Sequence, residues 1–185
     1  MFGLIDILGG AQPFVAKLDT MFTGNYYWHG NEPSHQVPFL YNYAGMPWKT
    51  QAIVPQILRD EYANAPGGIS GNEDAGQMSA WYVFASLGFY PVCPAAGYYI
   101  IASPGFDKAT IRLENGNFFE IMAHHVSPEN IYIQSARLNG EKYTKTYLLH
   151  QDIINGGTLE FEMGDKPNMT WGIQKEDLPP DFFQP

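Results

Sequence analysis

With 185 residues and ten basic against nineteen acidic side chains, the chain has room for one domain or two small ones and carries a net charge of −9. Its few scattered Lys and Arg argue against a nucleic-acid partner, and 45% apolar with only 16% charged residues argues against disorder. One cysteine, Cys93, excludes an internal disulfide framework and a Cys-based zinc site, and no apolar run reaches membrane-spanning length.

In chain order, Met1 to Gly10 enters an apolar segment without a preamble and without the basic-then-apolar pattern of a signal peptide, so it reads as a cut through something longer. Pro13 suits the first turn of a helix whose buried stripe is Phe14, Val15, Leu18, Met21 and Phe22, ended by Gly24. The loop Tyr26 to Gln36 is aromatic and polar and has the composition of a binding loop. A short helix from about Val37 to Ala44 is closed by Gly45, and Pro47 opens a longer one that Pro55 should kink or divide.

The Gly-rich run Ala65 to Gly71 leads to Asn72-Glu73-Asp74, two adjacent carboxylates at the start of a helix with almost no polar face. That helix, through Met78, Trp81, Tyr82, Val83, Phe84 and Leu87, should be surrounded by protein. Asp74 with Gln77 three residues on fits a capping box, which leaves Glu73 unexplained. Acids at the positive end of a helix should stay ionised, and so suit a base or a metal ligand better than a proton donor.

After Pro91 the apolar period changes to two, in Tyr98 to Ser103, Ala109 to Leu113, Phe119 to Ala123, Ile131 to Ile133 and Leu159 to Met163. Three Asn-Gly pairs, at 115, 139 and 155, mark tight turns between them. The expected class is α+β: residues 1–95 helical, 96–172 an antiparallel sheet or small sandwich, and 173–185 an extended acidic tail. His29 and His35 are not spaced for zinc, because Gly30 and Pro33 forbid a regular helix across them. Asn31, Glu32, Glu73 and Asp74 offer the hard oxygens that calcium accepts, provided the two loops meet.

Gly30-Asn31-Glu32-Pro33-Ser34-His35, Leu40 to Gly45, Pro47 to Gln51 and Gly71-Asn72-Glu73-Asp74 through Pro91 resemble the α-mannosidases of glycoside hydrolase family 92. Tyr132 to Ala136 and Leu138-Asn139-Gly140 extend the resemblance over nearly the whole chain. It implies a calcium-dependent, inverting, exo-acting enzyme on mannose-containing glycans, with a β-sandwich and an (α/α)6 barrel, outside the cytoplasm: secreted, periplasmic or at the cell surface of a bacterium. Asp74 would be the general base, and Asn72 falls where some relatives place a second acid. Glu32, His35 and Trp28 are the implied sugar contacts, and Asn31, Glu32 and Glu73 the implied calcium ligands. The family's proton-donating Glu would lie ahead of Met1, so this chain resembles only a C-terminal part, partnered by the rest of the enzyme and inactive alone. The alternative is a non-catalytic carbohydrate-binding or scaffold module, in which the acidic pair is only a cap.

Overall fold

A computed structural model describes residues 1–181; the end of the acidic tail, 182–185, lies outside the described residues. Helices come first: α1 (Phe2–Ile7), α2 (Ala11–Thr23), α3 (Pro47–Asp60) and α4 (Gln77–Leu87), with 3-10 turns at Glu32–Ser34 and Val37–Ala44. The 3-10 stretch Val37–Ala44 is almost wholly buried and ends at Gly45, whose φ of 70° supplies the left-handed stop that a side chain resists.

Strands dominate the remainder. A three-stranded sheet takes β1 (Phe89–Tyr90), β2 (Tyr98–Ile101) and β7 (Tyr147–Leu149) in the order β1-β2-β7. Strands β3 (Lys108–Arg112), β4 (Phe118–His124), β5 (Tyr132–Leu138), β6 (Glu141–Lys142) and β8 (Gly157–Gly164) form a five-stranded one, ordered β3-β4-β8-β5-β6, and a short helix α5 (His150–Ile154) leads into β8.

The small sheet is the shared middle layer. Alternation along its strands turns Tyr90, Tyr98, Ile100 and Tyr147 toward a core made with the helices, and turns Phe89, Ile101 and Leu148 toward a second core made with the larger sheet. One strand can serve two cores because its side chains point to opposite faces at period two.

Buried polar side chains lock the helices to the strands. Asn42 is fully buried, and its amide donates to the carbonyls of Ile101 (2.9 Å) and Thr146 (3.0 Å), one on β2 and one just before β7. Gln51 accepts from the Ile133 amide at 3.0 Å. Pro55 neither divides α3 nor ends it. Lacking an N–H, it frees the carbonyl of Gln51 four residues earlier; Ser103 Oγ lies 3.2 Å from that carbonyl and closer still to the carbonyl of Ile131, so its one hydroxyl proton is shared between the two acceptors.

Further expectations change. The sheet is not purely antiparallel, because β8 pairs parallel with β4 and antiparallel with β5. Strands β4 and β5 therefore run in opposite directions, and any strand inserted between them must run parallel to one. Of the Asn-Gly pairs, those at 115 and 139 join β3 to β4 and β5 to β6, but Asn155-Gly156 ends α5 and turns the chain into β8. Helix α4 is not enclosed all round: Tyr82 and Val83 remain 41% and 55% exposed, while Met78, Trp81 and Ala85 are fully buried. The described part of the tail is docked: Thr146 donates to the Asp177 carbonyl through its N–H (2.8 Å) and its hydroxyl (2.9 Å).

Replacing Asn42 by Leu removes two buried hydrogen bonds and leaves carbonyl oxygens short of a donor. This should lower the stability of the full-length protein by about 2–4 kcal/mol, read as a fall in the thermal unfolding midpoint.

Candidate active site

Two loops carry the acidic residues, and two glycines bring them together. A methyl group on Gly71 would lie 2.0 Å from the carbonyl oxygen of Gly30, and one on Gly30 would lie 2.9 Å from the Cα of Gly71. The backbones touch at a point where neither chain tolerates a Cβ. Glu32, two residues beyond one glycine, thereby meets Asp74, three residues beyond the other.

Beneath this contact is a buried polar and aromatic cluster. His29 is fully buried, with Tyr27 Oη 2.7 Å from Nδ1 and Tyr62 Oη 2.7 Å from Nε2. Tyr62 donates to the carbonyl of Met78 at 3.1 Å, so its oxygen accepts from His29 Nε2–H, and His29 Nδ1 accepts from Tyr27. His35, also fully buried, donates from Nε2 to the carbonyl of His29 (3.0 Å) and accepts at Nδ1 from the amide of Gln77 (3.2 Å). Burial, and secondarily the neighbouring His35, pushes His29 down to about 3, and burial lowers His35 as well, so both are neutral. Trp81 donates to the carbonyl of His35 at 2.9 Å and stands edge-on to His29, ring centres 4.3 Å apart. These histidines are framework, with every ring nitrogen engaged.

The start of α4 is built differently from the expected capping box. The N-cap is Gly76, in the left-handed region at φ 92°, and it has no side chain with which to cap. Glu73 does the capping from outside the helix. Its Oε1 accepts from the Ser79 amide (3.0 Å) and its Oε2 from the Ser79 hydroxyl (2.9 Å). Between these anchors Asp74 (φ 42°) and Ala75 (φ 58°) are also left-handed. Such a conformation costs roughly 1–2 kcal/mol per residue with a Cβ, and persists only where its surroundings hold it.

Asp74, exposed on this turn, touches the carboxyl of Glu32. The hydrogen bond between them raises Asp74 above the usual Asp range and lowers Glu32, so Asp74 takes the pair's first proton as pH falls. Both line a cleft of 390 Å³ whose walls include Gln36, Gln77, Phe84 and Tyr90. Gln77 is held there by donating to Tyr90 Oη (2.9 Å) and His35.

Of the residues expected at the site, the structure brings Glu32 and Asp74 together and leaves the others apart from the cleft. His35 is in the framework. Trp28, 57% exposed, folds its indole over Gly30. Asn31 and Asn72 are exposed on their loops, and Glu73 is occupied by Ser79. Gln36 closes the loop whose composition reads as a binding loop, without being singled out in it; nothing in the local pattern of Phe84 and Tyr90 marks them, and only the fold places them at the cleft. Gln77 was visible, as a supposed cap partner.

Calcium needs about six to eight oxygen ligands, and among the described residues no group of three or more His, Cys, Asp or Glu converges. Glu32 Oε1 is buried and takes no hydrogen bond, which fits one contact to a cation. Among the described residues these oxygens fall short of the number that a calcium ion takes.

An exposed carboxylate at the mouth of a cleft with aromatic walls accords with one half of the two-carboxyl equipment of a glycoside hydrolase. Residues 1–165 match the model of the glycosyl hydrolase family 92 catalytic domain, and the chain belongs to that family. It is 36% identical over 189 aligned residues to a protein of Arthroderma benhamiae described as an uncharacterized secreted glycosidase, covering 97% of this chain and 24% of that protein. A family GH92 α-mannosidase of Bacteroides thetaiotaomicron superposes with a TM-score of 0.90 at 44% identity, over 94% of this chain and 24% of that one. An inverting mannosidase of the same family and species superposes at 0.88 with 37% identity, over 96% and 27%. The chain thus spans about a quarter of the length of the relatives it matches.

Gly71→Ala should push the two loops apart and cost about 1–3 kcal/mol through overpacking. Turnover by the full-length enzyme should fall by more than the stability loss accounts for, as seen by comparing activity well below the melting temperature with the melting temperature itself.

Proposed function

We propose that the parent protein is a calcium-dependent, inverting exo-α-mannosidase acting on mannose-containing glycans, and that this chain supplies its general base, Asp74. The observation that carries the reading is the placement of Asp74: out of the helix, at the mouth of a cleft, its carboxyl against Glu32. Family membership and the α-mannosidase relatives support the substrate class.

In such a reaction Asp74 takes a proton from water as the water attacks the anomeric carbon, on the face opposite the departing oxygen. The bond from that carbon to the leaving oxygen breaks, and the oxygen takes a proton from a separate acid. Glu32 is unsuited to be that acid. Inverting enzymes hold their two carboxyls roughly 6.5–9.5 Å apart, to admit the sugar and a water, whereas Glu32 and Asp74 are in contact. The proton donor belongs to the remainder of the enzyme. Calcium, when bound, would fix sugar hydroxyls, with Glu32 Oε1 and Asn31 as this chain's contributions.

The helices α1 to α4 are read as part of an (α/α)6 barrel, residues 96–172 as a β region beside it, and the exposed side of α4 as facing the rest of that barrel. No helix among the described residues is long and apolar enough to cross a membrane, and a location outside the cytoplasm accords with the relative described as secreted.

Asp74→Ala in the full-length enzyme should lower kcat by roughly 10²–10⁴-fold, the usual contribution of a general base; ordinary turnover would sink the assignment. The isolated 185-residue chain should release no detectable aglycone from an aryl α-mannoside, since it carries one of two required groups. Measurable hydrolysis by it would place the acid inside this chain.

A further inference from the structure

The left-handed run Asp74-Ala75-Gly76 requires something to hold it, and the visible restraint is Glu73. Its two oxygens grip the amide and the hydroxyl of Ser79, closing a loop around residues 74–78. Two longer bonds inside that loop add to the closure, Gln77 N–H to the Asp74 carbonyl (3.3 Å) and Met78 N–H to the Glu73 carbonyl (3.4 Å). Gly76 cannot cap, and Asp74, turned out of the helix, does not. Resting on the reading of Asp74 as the base, we propose that Glu73 is the positioning residue for Asp74: it acts as a hydrogen-bond acceptor that clamps the left-handed turn, and not as a metal ligand.

The clamp and the ligand role separate on substitution. A Gln at 73 keeps one carbonyl oxygen to accept from the Ser79 amide, and its NH₂ can donate to the Ser79 hydroxyl, so the loop stays closed. The same Gln removes the negative charge on which a hard cation relies.

The experiment is steady-state kinetics of the full-length enzyme on an aryl α-mannoside, for E73A, E73Q, S79A, D74A and the double variant E73A/D74A. For E73A kcat should fall by roughly 10- to 100-fold, the cost of misplacing a reacting group by about an ångström, while KM changes by less than about threefold. E73Q should recover most of that loss. S79A, which retains the amide grip and loses the hydroxyl one, should fall between them, at roughly 3- to 10-fold. Since Glu73 acts only through Asp74, the double variant should be no slower than D74A.

An E73Q variant as impaired as E73A would overturn the proposal in favour of a role for the charge, and so would wild-type kcat in E73A or a double variant clearly worse than D74A. If E73A does not fold, E73Q and S79A decide between the same alternatives. Near-normal turnover by D74A is a separate outcome: it removes the base assignment itself, whatever Glu73 does.

Discussion

The contact between Gly30 and Gly71 is the constraint from which the site follows. The acidic residues Glu32 and Asp74 lie on separate loops, 42 residues apart in sequence. Only when both backbones lack a Cβ can one peptide rest on the other, and only then do Glu32 and Asp74 come within reach. The contact in turn needs a floor. The neutral histidines, Trp81 and the two tyrosine hydroxyls supply it, and every ring nitrogen and hydroxyl of that cluster finds a partner, within it or in Gln77 and the Met78 carbonyl beside it. A charged or loosely bonded floor would be costly at this depth.

The same economy governs the join between helices and strands. A three-stranded sheet with an apolar pattern on both faces could bind its two neighbours by hydrophobic contact alone, but such contact does not fix register. Asn42 and Gln51 fix it, because each bonds to particular backbone groups on β2, on β5 or beside β7. Pro55 contributes by subtraction, freeing a carbonyl for Ser103. Residues in the stretches that resemble the mannosidase family are therefore not all chemical: Asn42 and Gln51 position the scaffold and never approach the cleft.

Much of this was legible in the sequence, for reasons that differ by element. The helical stripe of Phe14, Val15 and Leu18 and the alternating Phe119, Ile121 and Ala123 are local periodicities, and they fold as read. The parallel pairing of β4 with β8 was not legible, since strand order is a property of the whole sheet and Asn155-Gly156 looks the same at a hairpin and at a helix end. Asp74 and Glu32 stood out through the resemblance. Their contact, the glycine hinge that makes it and the walls given by Gln36, Phe84 and Tyr90 depend on distance in space, and spacing along the chain carries no trace of them. The exposed Tyr82 and Val83 show the converse limit: a helix can be apolar all round in sequence and yet be covered on one side only by the described residues.

Glu73, not Asp74, caps α4, and the difference matters chemically. Were Asp74 the N-cap, its carboxylate would spend its lone pairs on the first amides of α4, stabilised as an anion and unavailable to a water. A base needs an oxygen free to take a proton and close enough to reach it. Moving the cap one residue back, to Glu73, satisfies the helix from outside, and the turn this forces carries Asp74 out of the helix and against Glu32. The strain in Asp74 and Ala75 is then not a flaw in the helix start but the consequence of asking adjacent carboxylates to do opposite things, one saturated with hydrogen bonds and the other left open.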